Sequence, residues 1–448
     1  MNRQRKQMSL GAFLFSFGHH FAAWRHHLTE ADSVIDLNFY KRNAQAAERG
    51  KMDMIFFADA LSLPDKEDVV HDVSSVYPDA STVISALAGV TERIGLAATV
   101  STTFNEPFNL ARRFATLDHL TGGRTAWNVV TSTKNTEARN FGADNLPHHG
   151  NRYERAHDFL NAVNALWDSW EESALVFDKE NGQFADTTRI HATLHDGPFF
   201  RVQGPLNIPR PPQGKPVIVE AGTSEAGQKL AAQTADVVFT ACADLRQAQQ
   251  FYGQLKSQLA AFNRQPDELK VMPGVMFFLG DTVEEAKARE AEFHELIVPE
   301  ASTSYLSRLL NYDLSGYPVD GPLPDIPAEG NSSRAKMVME KAKQDGLSIR
   351  ELGLYFSVAR GHLTVTGTAE QIADKLQEWF ESEACDGFNI MPPYLPGGLE
   401  QFVDRVIPLL QARGLFRTDY EGNTLREHLG LSRPDSRYSL LETNRQSS

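Results

Sequence analysis

Short runs of consecutive apolar residues alternate along this chain with longer stretches in which apolar positions recur at helical spacing. The runs are Leu10–Phe15 (LGAFLF), Met52–Ala58 (MDMIFFA), Ile94–Ser101 (IGLAATVS), Thr125–Val130 (TAWNVV), Pro216–Ala221 (PVIVEA), Val237–Thr240, Val271–Leu279 and Gly387–Met391 (GFNIM). Helical patterns cover Asp36–Arg49, Ala80–Thr91, Pro107–Leu120, Arg152–Trp170, a stretch from Ser224, Leu245–Phe262, a stretch from Thr282, Ala369–Ser382 and Leu399–Arg413. Pro107 at a helix start and Thr121-Gly122-Gly123 at its stop are boundary signals with a backbone cause. Near-continuous apolar strands belong to parallel sheets covered on both faces. Strict β-then-α alternation makes the class α/β. Eight such units are enough to close a (β/α)8 barrel, but a doubly wound open sheet has the same local signature, so periodicity leaves both open.

Two stretches break the alternation, about 171–215, rich in Pro, Gly and Asp, and about 297–366. Long connections in a compact domain are usually functional or disordered, and on a barrel they tend to lie over the mouth. The expectation is therefore one domain over 1–448, with these two insertions and the second of them a lid. The polar tail from Phe416 is expected to wrap the surface or an interface.

Composition narrows the function classes. Of 448 residues 41% are hydrophobic and 23% charged, so a large core can form without staples. The two cysteines, Cys242 and Cys385, are too few for a disulfide framework or a thiolate metal site and fit a reducing cytoplasm. A net charge of −14 argues against nucleic acid as partner. No apolar run approaches the ~20 residues of a membrane span, and the basic N-terminal run Arg3–Lys6 is not followed by a signal-type apolar segment. A cytoplasmic protein is expected.

Active sites of barrels form at the C-terminal ends of strands. His19, His20, Trp24 and Arg25 follow the first strand and Asp59 the second. Thr99, Ser101 and Thr102 end the third, Asn128 lies in the fourth, and His148, His149, Arg152 and Tyr153 follow it. Gly222-Thr223-Ser224 follows the fifth and opens a helix. Each has an ordinary structural alternative. Asp59 suits a turn or cap. Ser224 suits an N-cap, although free N–H groups at a helix start also seat a phosphate. Asn128 is the most telling, because a buried amide needs partners. Adjacent His19 and His20 point to opposite faces of extended chain and no carboxylate-spaced set accompanies them, so no metal is expected. No G-x-S-x-G elbow, Walker loop or G-x-G-x-x-G after a strand is present.

The segment IGLAATVSTTFNEPFNLARRFATLDHLTGGRTAWNVVTS (Ile94–Ser132) resembles the signature of the bacterial-luciferase-like flavin monooxygenases. More narrowly, it resembles the group of nitrilotriacetate monooxygenase component A and the dibenzothiophene-sulfone monooxygenases. AWRHH (Ala23–His27), FFADAL (Phe56–Leu61), ARNFG (Ala138–Gly142), RYERAHDFLNAVNALWDSW (Arg152–Trp170), GPLNIPRPPQGKPVIVEAGTSEAG (Gly204–Gly227), GTAEQIAD (Gly367–Asp374), DGFNI (Asp386–Ile390) and FRTDYEGNTLREHLGL (Phe416–Leu431) extend the likeness from Leu10 to Leu431. The resemblance implies a single (β/α)8 TIM barrel, luciferase-like, acting as a homodimer or homotetramer. It implies reduced FMN delivered by diffusion from a separate NAD(P)H:flavin reductase. Reaction with O2 through a flavin peroxide would then oxygenate a small organosulfur or related organic substrate. An aminopolycarboxylate substrate is the alternative within the family, and an F420- or flavin-binding barrel without oxygenase activity is the alternative outside it. Carried over motif by motif, Asp59, Thr99, His149, Tyr153 and Ser224 fall at the cofactor, joined by Thr223 and by Asn128 at the ring edge. His20, Phe57 and Trp24 fall on the substrate side, with His20 as proton donor or orienting group because imidazole supplies either form near neutral pH. Some sulfone-type relatives carry a histidine in the lid. Around Ser304–Asn311 this chain offers Arg308 instead, either an anion-binding group or a solvated helix residue.

Overall fold

A computed structural model describes residues 6–63, 70, 75–326 and 333–439. All of the expected strands form: β1 (Ser9–Leu14), β2 (Met54–Phe57), β3 (Gly95–Ser101), β4 (Thr125–Val130), β5 (Val217–Glu220), β6 (Val237–Thr240), β7 (Lys270–Leu279) and, further on, Gly387–Met391. One more, β8 (Leu363–Gly367), lies inside the stretch expected to be lid, so Gly387–Met391 is β9. The sheet order is β6-β5-β4-β3-β2-β1-β9-β7-β8, and β6 also pairs β7. Eight strands thus close into a parallel (β/α) barrel, and β8 pairs the outer half of β7, from Val275↔Leu363 to Leu279↔Gly367. Along the five residues of β8 buried and half-buried positions alternate. That alternation is a strand signature the apolar-run criterion does not detect.

The principal helices are α1 (Leu37–Arg49), α2 (Ala80–Ala88), α3 (Pro107–Thr121), α4 (Asn135–Asn140), α5 (His149–Trp167), α6 (Glu225–Thr234), α7 (Leu245–Gln258), α8 (Val283–Glu295), α9 (Pro299–Leu310), α10 (Ser333–Asp345), α11 (Ile349–Ala359) and α12 (Ala369–Glu381). Their ends have local causes. Pro107 stands in the first turn of α3, and Gly122, at φ 66°, stops it in the left-handed conformation only glycine adopts freely. Thr368 and Gln371 cap α12 reciprocally. The last predicted helix forms as Gly397–Gln401, a π turn Phe402–Val406 and Ile407–Ala412. Pro408 lacks an N–H to donate back along the helix, and the ladder widens just before it.

Two compact units divide the chain: Met1–Asp79, Phe239–Ser257 and Lys270–Thr418 form the first, and Ala80–Val238, Gln258–Leu269 and Asp419–Ser448 the second. In the first, β2-β1-β9-β7-β8 pair in parallel, with Gly11 opposite both Met54 and Asn389. The described residues of the 297–366 stretch are largely helical. Tyr305, Leu306 and Leu310 of α9 and Ile349, Leu352 and Phe356 of α11 bury one another around Leu314 and Val338. In the second unit, β3, β4 and β5 pair in register Thr99↔Asn128↔Val219. Trp127 is fully buried between Phe114 of α3 and Phe159 of α5. Residues 171–215 include two short hairpins, 175–185 and 195–202, the second tied down by Asp158 of α5. The tail is locked in place rather than loosely draped, because Arg426 makes a bidentate pair with Asp236 at 3.0 and 2.7 Å. Among the described residues no helix is long and apolar enough to cross a membrane.

Candidate active site

The expected site residues divide between the units. In the second unit, strand alternation sends Trp127 toward the helices, so Asn128 faces the other way, on the face shared with Thr99. Asn128 Nδ2 donates to Thr99 Oγ1 at 2.8 Å, both residues being buried, while Asn128 Oδ1 is buried without a hydrogen-bond partner among the described residues. A solvent-free amide oxygen left so costs ~1–3 kcal/mol, which marks it as a group awaiting a donor.

The loop after β5 forms the second part. Ser224 caps α6, its hydroxyl oxygen accepting from Gly227 N at 3.2 Å, and Gln228 Nε2 donates to Thr223 O at 2.9 Å. The capping alternative for Ser224 is therefore real, and it does not exclude the phosphate reading: a cap hydroxyl keeps its own proton to donate. The amides of Glu225 and Ala226, the first two of α6, have no partner among the described residues. Gly222 and Gly227 approach so closely that a Cβ on either would stand 2.9 Å from the other's Cα, and one on Gly227 would stand 3.1 Å from Tyr153 Oη. The glycines thus bring the Tyr153 hydroxyl onto the start of α6. That pair escaped sequence reading, although both glycines stand in the quoted motif.

His149 lies tilted against Tyr153, 5.0 Å between ring centres, one helical turn away. Partial burial, then the charges of Arg152 and His148, lower its pKa from the usual histidine range, so it favours the neutral, hydrogen-bonding form. Arg152 donates from Nη1 to Ser132 O at 3.1 Å, and its buried Nε has no partner among the described residues. A cavity of about 550 Å3 in this unit, lined by Glu106, Pro107, Phe108 and residues 199–205, contains none of these groups.

In the first unit, His20 is fully buried. Its Nδ1 accepts from Ala22 N at 3.2 Å, and its ring stacks on His294 at 5.7 Å with Phe278 and Phe293 edge-on. Burial, then the neighbouring His294 and His26, pushes its pKa down to about 3. The expectation that His20 supplies both protonation states near neutral pH is corrected: it is neutral there, and with Nδ1 accepting, only its Nε2–H is left to donate. Phe57 packs edge-on against Tyr40 of α1. The strand's alternation places Phe56, rather than Phe57, against Phe13 at 4.8 Å and Phe239 at 5.8 Å. Trp24 is half-buried beside Leu296 and Val298, Asp59 is half-exposed just after β2, and Arg308 lies over its own helix neighbour Tyr305.

Two further features were missed. Asn389, fully buried in β9 between Gly11 and Gly274, has neither amide atom bonded among the described residues. The rule that singled out Asn128, a lone amide in an apolar strand, would have found it. His26 Nε2 and His27 Nδ1 lie 3.4 and 3.2 Å from Glu292 Oε1, a grouping with metal-like spacing that the expectation of no metal did not foresee. His26 Nδ1 accepts from Leu28 N at 3.3 Å, which places its proton on Nε2, facing the carboxylate.

The comparisons with known proteins bear on what such groups serve. The family model for luciferase-like monooxygenases matches residues 17–385. The N-acetyl-S-(2-succino)cysteine monooxygenase of Bacillus subtilis (strain 168) is 49% identical over 98% of this chain and 100% of its own length. Nitrilotriacetate monooxygenase component A of Aminobacter aminovorans is 46% identical over 96% of this chain and 97% of its own. The crystal structure of a riboflavin lyase with modified FMN and riboflavin superposes with a TM-score of 0.87 at 31% identity, covering 95% or more of both chains (97% and 98%). With its barrel, its near full-length relatives and the family match, this chain belongs to the luciferase-like monooxygenases and is an enzyme of that class.

Proposed function

We propose that this chain is the oxygenase of a two-component system, a single barrel domain that takes FMN reduced by a separate NAD(P)H:flavin reductase and uses O2 to oxygenate a small organosulfur compound. The observation that carries the cofactor is the start of α6, where paired glycines, two unbonded amides and the Tyr153 hydroxyl meet. Such a cradle suits a phosphate, because amides and a helix dipole converge where a side chain would otherwise stand. Ser224, Tyr153 and the Glu225 and Ala226 amides would hold the phosphate, with Thr223 shaping the turn and His149 flanking it. Thr99 and Asn128 would bond the ring edge, the unmet Asn128 carbonyl accepting from a ring N–H. Bound reduced flavin supplies the two electrons with which O2 is activated.

Asp59 is assigned to the cofactor and Trp24 and His20 to the substrate side by the family likeness. His20 would there orient a group through Nε2–H rather than transfer a proton. The helical 297–366 stretch is assigned as the cover that keeps water away during turnover. The organosulfur reading draws support from the relative that acts on N-acetyl-S-(2-succino)cysteine, the aminopolycarboxylate reading from the one named for nitrilotriacetate. A cytoplasmic homodimer or homotetramer is part of the proposal. Phe177 and Phe184, 59% and 66% exposed on one hairpin, are the apolar surface such an assembly would cover. The test supplies a flavin reductase, NADH and FMN and measures oxygenated product from N-acetyl-S-(2-succino)cysteine, dibenzothiophene sulfone and nitrilotriacetate. Product from a sulfur compound sustains the organosulfur reading, product from nitrilotriacetate alone replaces it, and NADH consumption yielding only H2O2 with every compound refutes both.

A further inference from the structure

His26 and His27 follow the short helical turn Ala23–Arg25 after β1, and Glu292 stands in the last turn of α8, all within the first unit. Neighbouring histidines on extended chain point to opposite faces. Here the chain turns, and the two imidazole rings lie 4.4 Å apart, tilted 35° to one another. Both bring a nitrogen to one carboxylate oxygen. His26 Nε2 is 3.4 Å and His27 Nδ1 3.2 Å from Glu292 Oε1, and the ligand atoms of the three residues all lie within 4.8 Å of one another.

These separations carry information. A charge-assisted N–H···O bond closes to about 2.7–2.9 Å, as His191 does on Glu171 at 2.7 Å and His195 on Asp158 at 2.8 Å. Both Glu292 pairs are wider than either. A Zn2+ ion bound to imidazole nitrogen and carboxylate oxygen at about 2.0–2.1 Å sets neighbouring ligand atoms of a tetrahedron about 3.3–3.4 Å apart. The Glu292 pairs match that spacing.

The surroundings hold the group ready. His26 is 3% exposed, and its Nε2 is buried without a hydrogen-bond partner among the described residues. Its ring stacks on Phe293 at 4.0 Å and 9°, and Phe293 adjoins Glu292 in the chain, so one packing contact positions both ligands. The side chains of His27 and Glu292 are 66% and 48% exposed, which gives an ion access and leaves its remaining position to water. Arg289, whose charge reaches His26, is occupied by Leu279 O at 2.6 Å, Glu285 Oε1 at 3.0 Å and Gln401 Oε1 at 3.2 Å.

We propose that His26, His27 and Glu292 form a binding site for a divalent transition metal of the zinc class, with His26 Nε2, His27 Nδ1 and a Glu292 oxygen as ligands and a fourth position open. Two imidazoles and a carboxylate suit zinc, cobalt or nickel, whereas calcium and magnesium take oxygen ligands. The metal takes the place of the Nε2 proton of His26, and that ring then carries its proton on Nδ1. The 3.3 Å contact from Leu28 N to Nδ1 is given up, and Leu28, 46% exposed, turns its N–H to water. The ion joins the segment that carries Trp24 to α8, a bracing duty independent of the oxygenase reading.

The test is calorimetric titration of the untagged full chain, freed of metal with a chelator, with ZnCl2, alongside CoCl2 followed by visible absorption. One tight Zn2+ per chain is expected, and the Co2+ form shows the strong visible bands of four-coordinate nitrogen and oxygen ligation. His27→Ala and Glu292→Gln, both at exposed positions, each weaken Zn2+ about tenfold or more, while Glu295→Gln on the same helix leaves it within about twofold. Zinc raises the melting temperature of the parent chain more than that of Glu292→Gln. No saturable Zn2+ binding, parent-like affinity in His27→Ala and Glu292→Gln, or a loss in Glu295→Gln as large as in Glu292→Gln overturns the proposal. Thiolate charge-transfer absorption in the Co2+ form also overturns it, by placing the ion on the free thiol of Cys242.

Discussion

In the second unit the groups suited to a flavin are set by backbone geometry: paired glycines, helix-start amides and a strand register that puts Asn128 beside Thr99. In the first unit the notable groups are side chains set by ring packing, with His19 on Phe13 and Phe15, His20 on His294 and Phe293, and Arg360 over Phe15. Backbone sites suit a ligand that never changes, since every residue but proline supplies the same amide. Side-chain walls suit what varies among relatives, whose names run from N-acetyl-S-(2-succino)cysteine to nitrilotriacetate. Asp59 of the first unit aside, the contrast predicts that lesions in the second unit strike flavin affinity, and lesions in the first strike substrate choice or stability.

The sharpest break is at the glycines. A Gly227→Ala chain must part Gly222 from Gly227, because the new Cβ meets backbone at 2.9 Å. FMN affinity measured by fluorescence quenching is expected to fall about a hundredfold, with the circular dichroism spectrum unchanged. Retained affinity would remove the phosphate cradle. Tyr153→Phe deletes one hydroxyl and is expected to weaken FMN about tenfold in the same titration. An unchanged value would mean that the hydroxyl faces no phosphate.

In the first unit the expected effect is on stability. His19, His20 and His26 all have pKa values lowered by burial. A histidine depressed in the folded chain contributes stability that is complete above its unfolded pKa near 6.5 and is lost as pH falls below it. Each fully buried one removes ~1.4 kcal/mol per pH unit in that window, for His20 down to about 3. Buried Glu220 and Asp118, with pKa values raised to about 8 and about 6, act in the opposite sense as pH falls, so the readout is the difference between chains: urea unfolding between pH 6.5 and 5 should show His20→Gln losing about one proton's worth of falling slope relative to the parent chain. An unaltered slope would mean that His20 is protonated in the folded chain. The smallest effect is expected from Ser224→Ala, which loses the cap to Gly227 and costs ~1 kcal/mol of stability. Flavin affinity should fall less than in Tyr153→Phe, since the Glu225 and Ala226 amides remain, and a larger loss would make the Ser224 hydroxyl the main phosphate donor.

Much of this was legible in the sequence because it is written in local pattern. The ring strands are short apolar runs, Pro107 and Gly122 bracket α3, and Asn128 stands out as an amide among apolar neighbours. Strand β8 was not legible, since its Thr364 and Thr366 interrupt the apolar run. The helical core of 297–366 was hidden for a related reason: α9 and α11 bury each other, and a partner distant in sequence leaves no periodic trace of which helix it meets. Which of Phe56 and Phe57 meets Phe13 was not legible, because apolar content alone does not tell which way each of two adjacent rings points. His20 was read from the ordinary pKa of imidazole, and only the aromatic packing around it reveals the shift.

The most direct test of the account is anaerobic titration of the full chain with reduced FMN, followed by mixing with O2 and an organosulfur substrate such as N-acetyl-S-(2-succino)cysteine. The account predicts one reduced FMN per chain, held more tightly than oxidised FMN, released by Gly227→Ala, and oxygenated product formed in proportion to flavin consumed. Tight stoichiometric binding of F420 with no affinity for reduced FMN would contradict it.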